Sequence, residues 1–117
     1  MAKKQLFALV YADAVKEHLR AIPRKFHSLI RSELEAQLLH QPDVETRNRK
    51  PLERPVEFGA DWELRLGPDN CFRVFYCVDA VAREVGIFAI GVKEGNRLFI
   101  GGEEISEIGR ASCRERV

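Results

Sequence analysis

Two arginines stand inside segments that otherwise have the composition of β-strands. Arg65 lies in the run of residues 62–66, and Arg73 lies in the run of residues 71–79. A cation within a sheet must face solvent, a partner or an anion, because burying an unpaired charge is costly. The two arginines therefore predict a cationic face used for binding or catalysis, and Arg73 is the first candidate for a catalytic residue.

Two more charged residues accompany these arginines. Glu63 lies on the same predicted strand as Arg65, and Lys93 ends the apolar run that follows Arg73. Glu63 is either a proton acceptor or an ion-pair partner. Each arginine, in turn, has the alternative of an ion pair with Glu63, with Asp79 or with the carboxylate of a partner protein.

A basic segment without helical or strand periodicity spans residues 41–61 and contains three prolines. Long loops without structure of their own are uncommon in compact domains and tend to be functional or mobile. Its cations Arg47, Arg49 and Lys50 are therefore candidates for binding RNA or a partner protein. The alternative is a solvated loop whose cations offset nearby acidic residues.

The hydrophobic pattern predicts the elements that position these residues. An apolar run at residues 6–11 predicts a strand, and Asp13 is placed to cap a following helix. Apolar positions then recur at helical spacing in two stretches, which are separated by Pro23 and ended by Pro42. Three strands joined by short turns are predicted after the basic segment, at residues 62–66, 71–79 and 84–93.

This order of elements predicts an α+β fold. It consists of an N-terminal strand, a helical hairpin and a three-stranded antiparallel meander, with both helices packed on one face of the sheet. Phe72, Val74 and Tyr76 form one apolar row that we expect to face the helices, which leaves Arg73 on the other face. Tyr76 is thus expected to be a buried ring. For the strand that ends at Lys93, alternation alone does not tell which row faces the helices.

Length and charge restrict the class of protein. The chain of 117 residues fits one domain, assigned to residues 1–107. Residues 108–117 resemble the translation of a sequencing adapter and are expected to be a non-native tail, which leaves open whether native C-terminal residues are missing. Without this tail the formal net charge changes from +1 to −1, so any RNA binding must be local. No membrane span or signal peptide is predicted, which favours a cytoplasmic protein.

No metal or other cofactor is predicted. Cys71 and Cys77 lie about 20 Å apart on one predicted strand, too far for a disulfide, and lack companion ligands at usable spacing. The histidines fall in the helical region, away from the cationic strand face, and surface or helix-end roles are expected for His18, His27 and His40.

Three stretches of the chain resemble the core pattern of the RelE/ParE toxin superfamily. They are Trp-Glu-Leu-Arg at residues 62–65, Phe-Arg-Val-Phe-Tyr at residues 72–76 and Ile-Gly-Val-Lys at residues 90–93. The opening strand, the helical hairpin and Lys-Pro-Leu at residues 50–52 follow the same layout, so the resemblance covers about residues 5–104. It implies the toxin of a type II toxin–antitoxin system of the kind linked to plasmid stabilisation, bound by a cognate antitoxin.

The resemblance implies a ribosome-dependent mRNA endonuclease, which acts on mRNA at the ribosome, or an inhibitor of DNA gyrase. A third possibility is a member that binds its antitoxin but has lost its chemistry. Carried over residue by residue, Arg65 and Arg73 match the cationic strand positions of the nucleases, and Lys93 and Arg97 match the basic patch that follows. Many of these nucleases have a catalytic tyrosine near the C-terminus, where this chain has Phe99. The mRNA endonuclease is the first expectation.

Overall fold

The computed structural model describes residues 6–52 and 59–105, so the suspected tail at residues 108–117 lies outside the described residues. Strand β1 (Ala8–Tyr11) precedes two helices, α1 (Ala14–Arg20) and α2 (His27–Leu38). Six further strands follow in the described part of the chain: β2 (Arg49–Pro51), β3 (Trp62–Leu66), β4 (Phe72–Asp79), β5 (Glu84–Glu94), β6 (Arg97–Ile100) and β7 (Glu103–Ile105).

These strands form one mixed sheet. β2 to β7 are antiparallel neighbours in sequence order, and β1 runs parallel to β5. β1 pairs with residues 84–87 and β6 with residues 91–94, so the two occupy one edge of β5, one after the other. The predicted α+β class is confirmed, but the predicted three-stranded meander is only part of a larger sheet, which also contains β2, β6 and β7. The expectation of a structureless segment at residues 41–61 is wrong at β2.

The two helices follow the predicted apolar spacing. α2 buries Ile30, Leu34 and Leu38, which repeat every four residues and form one stripe. Asp13 directly precedes α1, but its carboxylate makes no capping hydrogen bond, contrary to the expectation. No helix within residues 6–52 and 59–105 is both long enough and apolar enough to cross a membrane.

The main core lies between the helices and one face of the sheet. Leu64, Val74 and Tyr76 are fully buried in it. The hydroxyl of Tyr76 donates a hydrogen bond to the carbonyl of Pro42 at 2.7 Å, and burial raises the pKa of this phenol. The expected role of Tyr76 as a buried ring is confirmed.

Strand β5 changes the face that it buries halfway along its length. The register between β4 and β5 shifts by one residue, which leaves Phe88 as the extra residue of a β-bulge. The β5 residues that contact the main core are odd-numbered before the bulge and even-numbered after it, namely Val85, Ile87, Ile90 and Val92. The bulge places Lys93 on the face turned away from the helices.

His18 of α1 fills a gap in the hydrogen bonding of β5. Residues 88–90 lie between the stretches paired with β1 and β6, and have no strand neighbour on that edge among the described residues. The Nδ1 atom of His18 accepts a hydrogen bond from the amide of Ile90 at 3.2 Å. Burial lowers the pKa of His18, while Glu17 acts in the opposite direction. His18 thus connects a helix to the sheet and lies away from the arginines.

Candidate anion-binding site

The face of the sheet turned away from the helices, here called the outer face, brings five predicted residues together. Strand pairing places Lys50 directly opposite Glu63, and Arg65 directly opposite Arg73. Lys93 lies on the same face of β5, two residues beyond the position that pairs with Arg73. We call these five residues the charged cluster. It contains four cations and one carboxylate from the described part of the chain.

Glu63 forms ion pairs with both arginines of the charged cluster. Its Oε2 atom lies 3.2 Å from Nε of Arg73, and its Oε1 atom lies 3.8 Å from Nη2 of Arg65. The side chains of Glu63 and Arg73 are 18% and 10% exposed, whereas that of Arg65 is 39% exposed. The ion pair with Glu63 was one of the alternatives that the sequence left open, and the structure contains it. Among the described members of the cluster, the cations outnumber the carboxylate.

The turn between β3 and β4 holds Arg73 from the other side. Gly67 has φ +85° and ψ −179°, and a Cβ atom there would clash with the ring of Phe72. Asp69 and Asn70 follow with positive φ angles of 53°. In this conformation the carbonyl of Asn70 accepts a hydrogen bond from Nη1 of Arg73. The sequence identified the turn, but its residue types gave no sign of this contact.

Asp79, the other predicted partner of the arginines, does not belong to the cluster. Its carboxylate accepts a hydrogen bond from the amide of Ala82 in the turn between β4 and β5. In the register of β4 and β5, Asp79 lies opposite Glu84. It is six residues from Arg73 along β4, a distance of roughly 20 Å. The outer face therefore has a cationic end and an acidic end.

A small apolar cluster borders the charged residues on the outer face. Phe75 lies directly opposite Glu63 and is buried together with Ala60 and Ala89. Partly buried side chains that pack against this cluster are Leu52, Phe88, Leu98 and Ile100. Apolar neighbours lower the local dielectric constant, so charge interactions at this end of the sheet are stronger than in water.

Two arginines of the basic segment have different surroundings. Arg49 is only 8% exposed and pairs with the buried Leu64, on the helix side of the sheet. Its guanidinium donates hydrogen bonds to the carbonyls of Val44 and Gln37 and to the side-chain oxygen of Gln37, at 2.8 to 3.0 Å. Arg49 therefore connects β2 to the end of α2 and offers little surface to a ligand. Arg47 is exposed on the loop before β2.

Arg97 and Lys93 do not share one surface. In the register of β5 and β6, Arg97 lies opposite Glu94, and the next residue, Leu98, lies opposite Lys93 on the outer face. Because side chains alternate along a strand, Arg97 lies on the helix side of the sheet. It forms an ion pair of 3.0 Å with Glu104, and this hydrogen-bonded contact raises the pKa of Arg97. The predicted patch of Lys93 and Arg97 is thus divided between the two faces.

Phe99 also lies on the helix side of the sheet. It pairs with Val92 and lines a cavity of about 280 Å³ together with His18. A tyrosine at this position would point away from the charged cluster. The absence of a hydroxyl at Phe99 is therefore no evidence about chemistry at the cluster.

The described tyrosines and histidines lie away from the charged cluster. His27 contacts the carbonyls of Leu19 and Ile22 at the end of α1 through Nε2, at 2.8 and 2.9 Å, and His40 is exposed after α2. Tyr11 is on β1, at the other edge of the sheet. Within the described residues, no three His, Cys, Asp or Glu side chains form a group that could hold a metal ion.

Comparison with known proteins supports the fold. No protein-family profile and no curated protein sequence matches this chain. Among solved structures, it is similar to a chain of the crystal structure of the toxin–antitoxin complex RelBE2 from Mycobacterium tuberculosis. The TM-score is 0.57 at 18% identity, over 75% of this chain and 99% of that chain. The chain therefore shares its fold with a component of a toxin–antitoxin complex, as the sequence resemblance led us to expect.

Proposed function

We propose that this chain is the toxin of a type II toxin–antitoxin system and acts as a ribosome-dependent mRNA endonuclease. The observation that carries this proposal is the charged cluster, which places Arg65, Arg73 and Lys93 on the same face of the sheet as one carboxylate, Glu63. The shared fold with a component of the RelBE2 complex supports the toxin–antitoxin context. A cognate antitoxin, the ribosome and mRNA are the proposed partners.

The reaction would use the ribose 2′-hydroxyl of RNA as the nucleophile. Its oxygen attacks the adjacent phosphorus, the bond from phosphorus to the 5′-oxygen breaks, and a 2′,3′-cyclic phosphate and a 5′-hydroxyl result. Such a reaction needs a proton acceptor for the 2′-hydroxyl, cations for the phosphorane and a proton donor for the leaving oxygen. The charged cluster contains side chains of all three kinds.

Each member of the cluster has a proposed role. Arg65 and Arg73 stabilise the charge that develops on the phosphorane, because guanidinium groups suit phosphate oxygens. The Glu63 carboxylate accepts the proton of the 2′-hydroxyl. The ammonium group of Lys93, which lies on the same face, donates a proton to the leaving 5′-oxygen. Lys50 and Arg47 extend the positive charge towards the flanking RNA.

The excess charge of the cluster also suits an antitoxin. A helix of the antitoxin docked in an exposed groove would place an acidic side chain near Arg65 and Arg73. Such a carboxylate would compete with RNA phosphate for the same cations. Neutralisation would then consist of occupying the charged cluster as well as covering it.

The proposal is tested by inducing the chain in cells without an antitoxin and mapping the 5′ ends of cellular mRNA. We expect growth arrest with cuts at fixed codon positions in translated messages. Arg65→Ala should remove the cuts, whereas Arg20→Ala, which changes an exposed arginine paired with Glu17 on α1, should leave them unchanged.

Two other results would contradict the endonuclease. Growth arrest with DNA damage and intact mRNA would indicate a gyrase inhibitor instead. Normal growth in the presence of folded protein would exclude both toxin activities and leave a chain that only binds an antitoxin.

A further inference from the structure

The two arginines of the charged cluster are held to different degrees. Arg73 is 10% exposed and contacts both the Glu63 carboxylate, at 3.2 Å, and the carbonyl of Asn70. Arg65 is 39% exposed, and its 3.8 Å contact with Glu63 is too long for a hydrogen bond. Arg73 is thus fixed within the protein, whereas Arg65 is only loosely paired.

Arg65 also has an unused hydrogen-bond donor. Its Nε atom is buried and has no acceptor among the described residues. Buried donors in proteins are nearly always paired, so an unpaired one calls for an explanation such as a ligand. The Glu63 oxygen lies against Nη2 of Arg65, so an anion in its place would meet Nη2 first, and it would reach Nε only if the Arg65 side chain moved.

We propose that a phosphate group of the RNA backbone binds at Arg65 by displacing the Oε1 atom of Glu63, which occupies this place in the free protein. Besides its proposed role at the phosphorane, Arg73 keeps the guanidinium pair in place through its contacts with Glu63 and Asn70. The identification of the phosphate as part of RNA rests on the proposed function. The exchange of a carboxylate for a phosphate depends only on the geometry of the cluster.

Lys50 provides a place for the displaced carboxylate. It lies directly opposite Glu63 in the pairing of β2 with β3, where side chains of neighbouring strands are about 5 Å apart at Cβ. A small rotation of Glu63 would exchange its contact with Arg65 for one with Lys50. The carboxylate would then remain paired when phosphate binds.

The geometry favours phosphate over a partner's carboxylate. A carboxylate on its own would replace Glu63 with a group of the same shape and charge and would gain little, so an antitoxin carboxylate would depend on the rest of the docked helix to hold it there. A tetrahedral phosphate presents oxygens in more directions and suits the fork of a guanidinium group. The phosphorane of the proposed reaction carries more negative charge than either, so it would gain more from the guanidinium group than the ground-state phosphate does.

The test measures binding to the purified full chain by titration calorimetry. The probes are inorganic pyrophosphate and a 2′-O-methyl trinucleotide, which lacks the hydroxyl needed for cleavage. Glu63→Gln keeps the shape of the side chain and removes the competing charge, so both probes should bind about tenfold more tightly. Glu104→Gln removes the same charge from an Arg–Glu pair on the other face and should change the affinities by less than about twofold.

Arg65→Gln provides a second test at the more exposed of the two arginines. It should weaken both probes at least tenfold and leave the melting temperature nearly unchanged, whereas Arg73→Gln should lower the melting temperature because it removes the closest partner of Glu63. Unchanged or weaker binding by Glu63→Gln, or full affinity in Arg65→Gln, would overturn the proposal. Tighter binding of an oligoglutamate peptide than of pyrophosphate would also overturn it.

These results are independent of cleavage in cells. If mRNA stays intact in cells but Glu63→Gln binds pyrophosphate more tightly, the proposed endonuclease activity is contradicted and the proposed anion site is supported. If the chain cuts mRNA but the parent protein and Glu63→Gln bind the probes equally well, the endonuclease activity is supported and the displacement of Glu63 by phosphate is contradicted.

Discussion

Arg47 and Arg49 stand two positions apart in one basic segment, and their surroundings differ completely. Arg47 is exposed, whereas Arg49 is buried and donates three hydrogen bonds to groups of Gln37 and Val44. The difference comes from strand β2, which turns Arg49 towards the helices. At the scale of single residues, position on a strand decides whether a cation is structural or available to a ligand.

Arg49→Ala should therefore lower the free energy of unfolding by about 2–4 kcal/mol, because three acceptors lose a charged donor. Arg47→Ala should stay within about 0.5 kcal/mol of the parent chain, as expected for an exposed position. Urea denaturation of the two variants measures the difference. Equal stabilities would show that the hydrogen bonds of Arg49 do not contribute to folding.

Part of the site follows from residue patterns alone. Alternation along β3 and β4 placed Arg65 and Arg73 on one face, and the structure pairs both with Glu63, one of the partners expected from the sequence. The burial of Arg49 depends on an acceptor from α2, which lies far away in the chain. A contact of this kind leaves no local signal, so the sequence of the basic segment indicated a uniform surface.

The turn between β3 and β4 is the element that fixes the charged cluster. Its conformation requires glycine at position 67, since a side chain there would meet the ring of Phe72 and the backbone adopts φ +85°. The same turn directs the carbonyl of Asn70 to Arg73. Backbone conformation and ion pairing are therefore coupled at this end of the sheet.

Gly67→Ala should destabilise the fold by about 3 kcal/mol or more, since backbone strain and a steric clash act together. Gly95→Ala is the matched control, because Gly95 has φ +62° but a Cβ atom added there would have no neighbour within 4 Å. Its cost should be about 1 kcal/mol. Thermal and urea unfolding of both variants would test this, and a smaller loss at Gly67 than at Gly95 would contradict it.

The longer elements and the apolar strand β1 were predictable, and the other short strands were not. α2 and strands β3, β4 and β5 carry enough apolar positions to show their period. β2, β6 and β7 have only three or four residues each and exist because a neighbouring strand supplies the hydrogen bonds. Such strands result from the sheet, and their own sequences do not reveal them.

At the scale of the whole molecule, positive charge is concentrated and not abundant. The formal net charge of the full chain is +1, yet four described cations accompany one carboxylate at one end of the outer face. The acidic residues Asp79 and Glu84 lie at the other end. Such a distribution orients a polyanion at short range without attracting it from a distance.

The salt dependence of oligonucleotide binding should therefore be shallow. If only the four cations of the charged cluster contact phosphates, the logarithm of the association constant should fall with the logarithm of salt concentration with a slope no steeper than about −3. Fluorescence anisotropy with a labelled 2′-O-methyl RNA between low and moderate salt measures this slope. A much steeper slope would mean that cations outside the cluster take part in binding.

The bulge at Phe88 has a consequence for comparing this chain with its relatives. The extra residue reverses the alternation of β5, so Lys93 reaches the outer face only because of it. A relative without the bulge would present a lysine to the same ligand from a position one residue closer to the start of the strand. Sequence alignments that allow no one-residue gap at Phe88 would match side chains from opposite faces and hide an equivalent lysine.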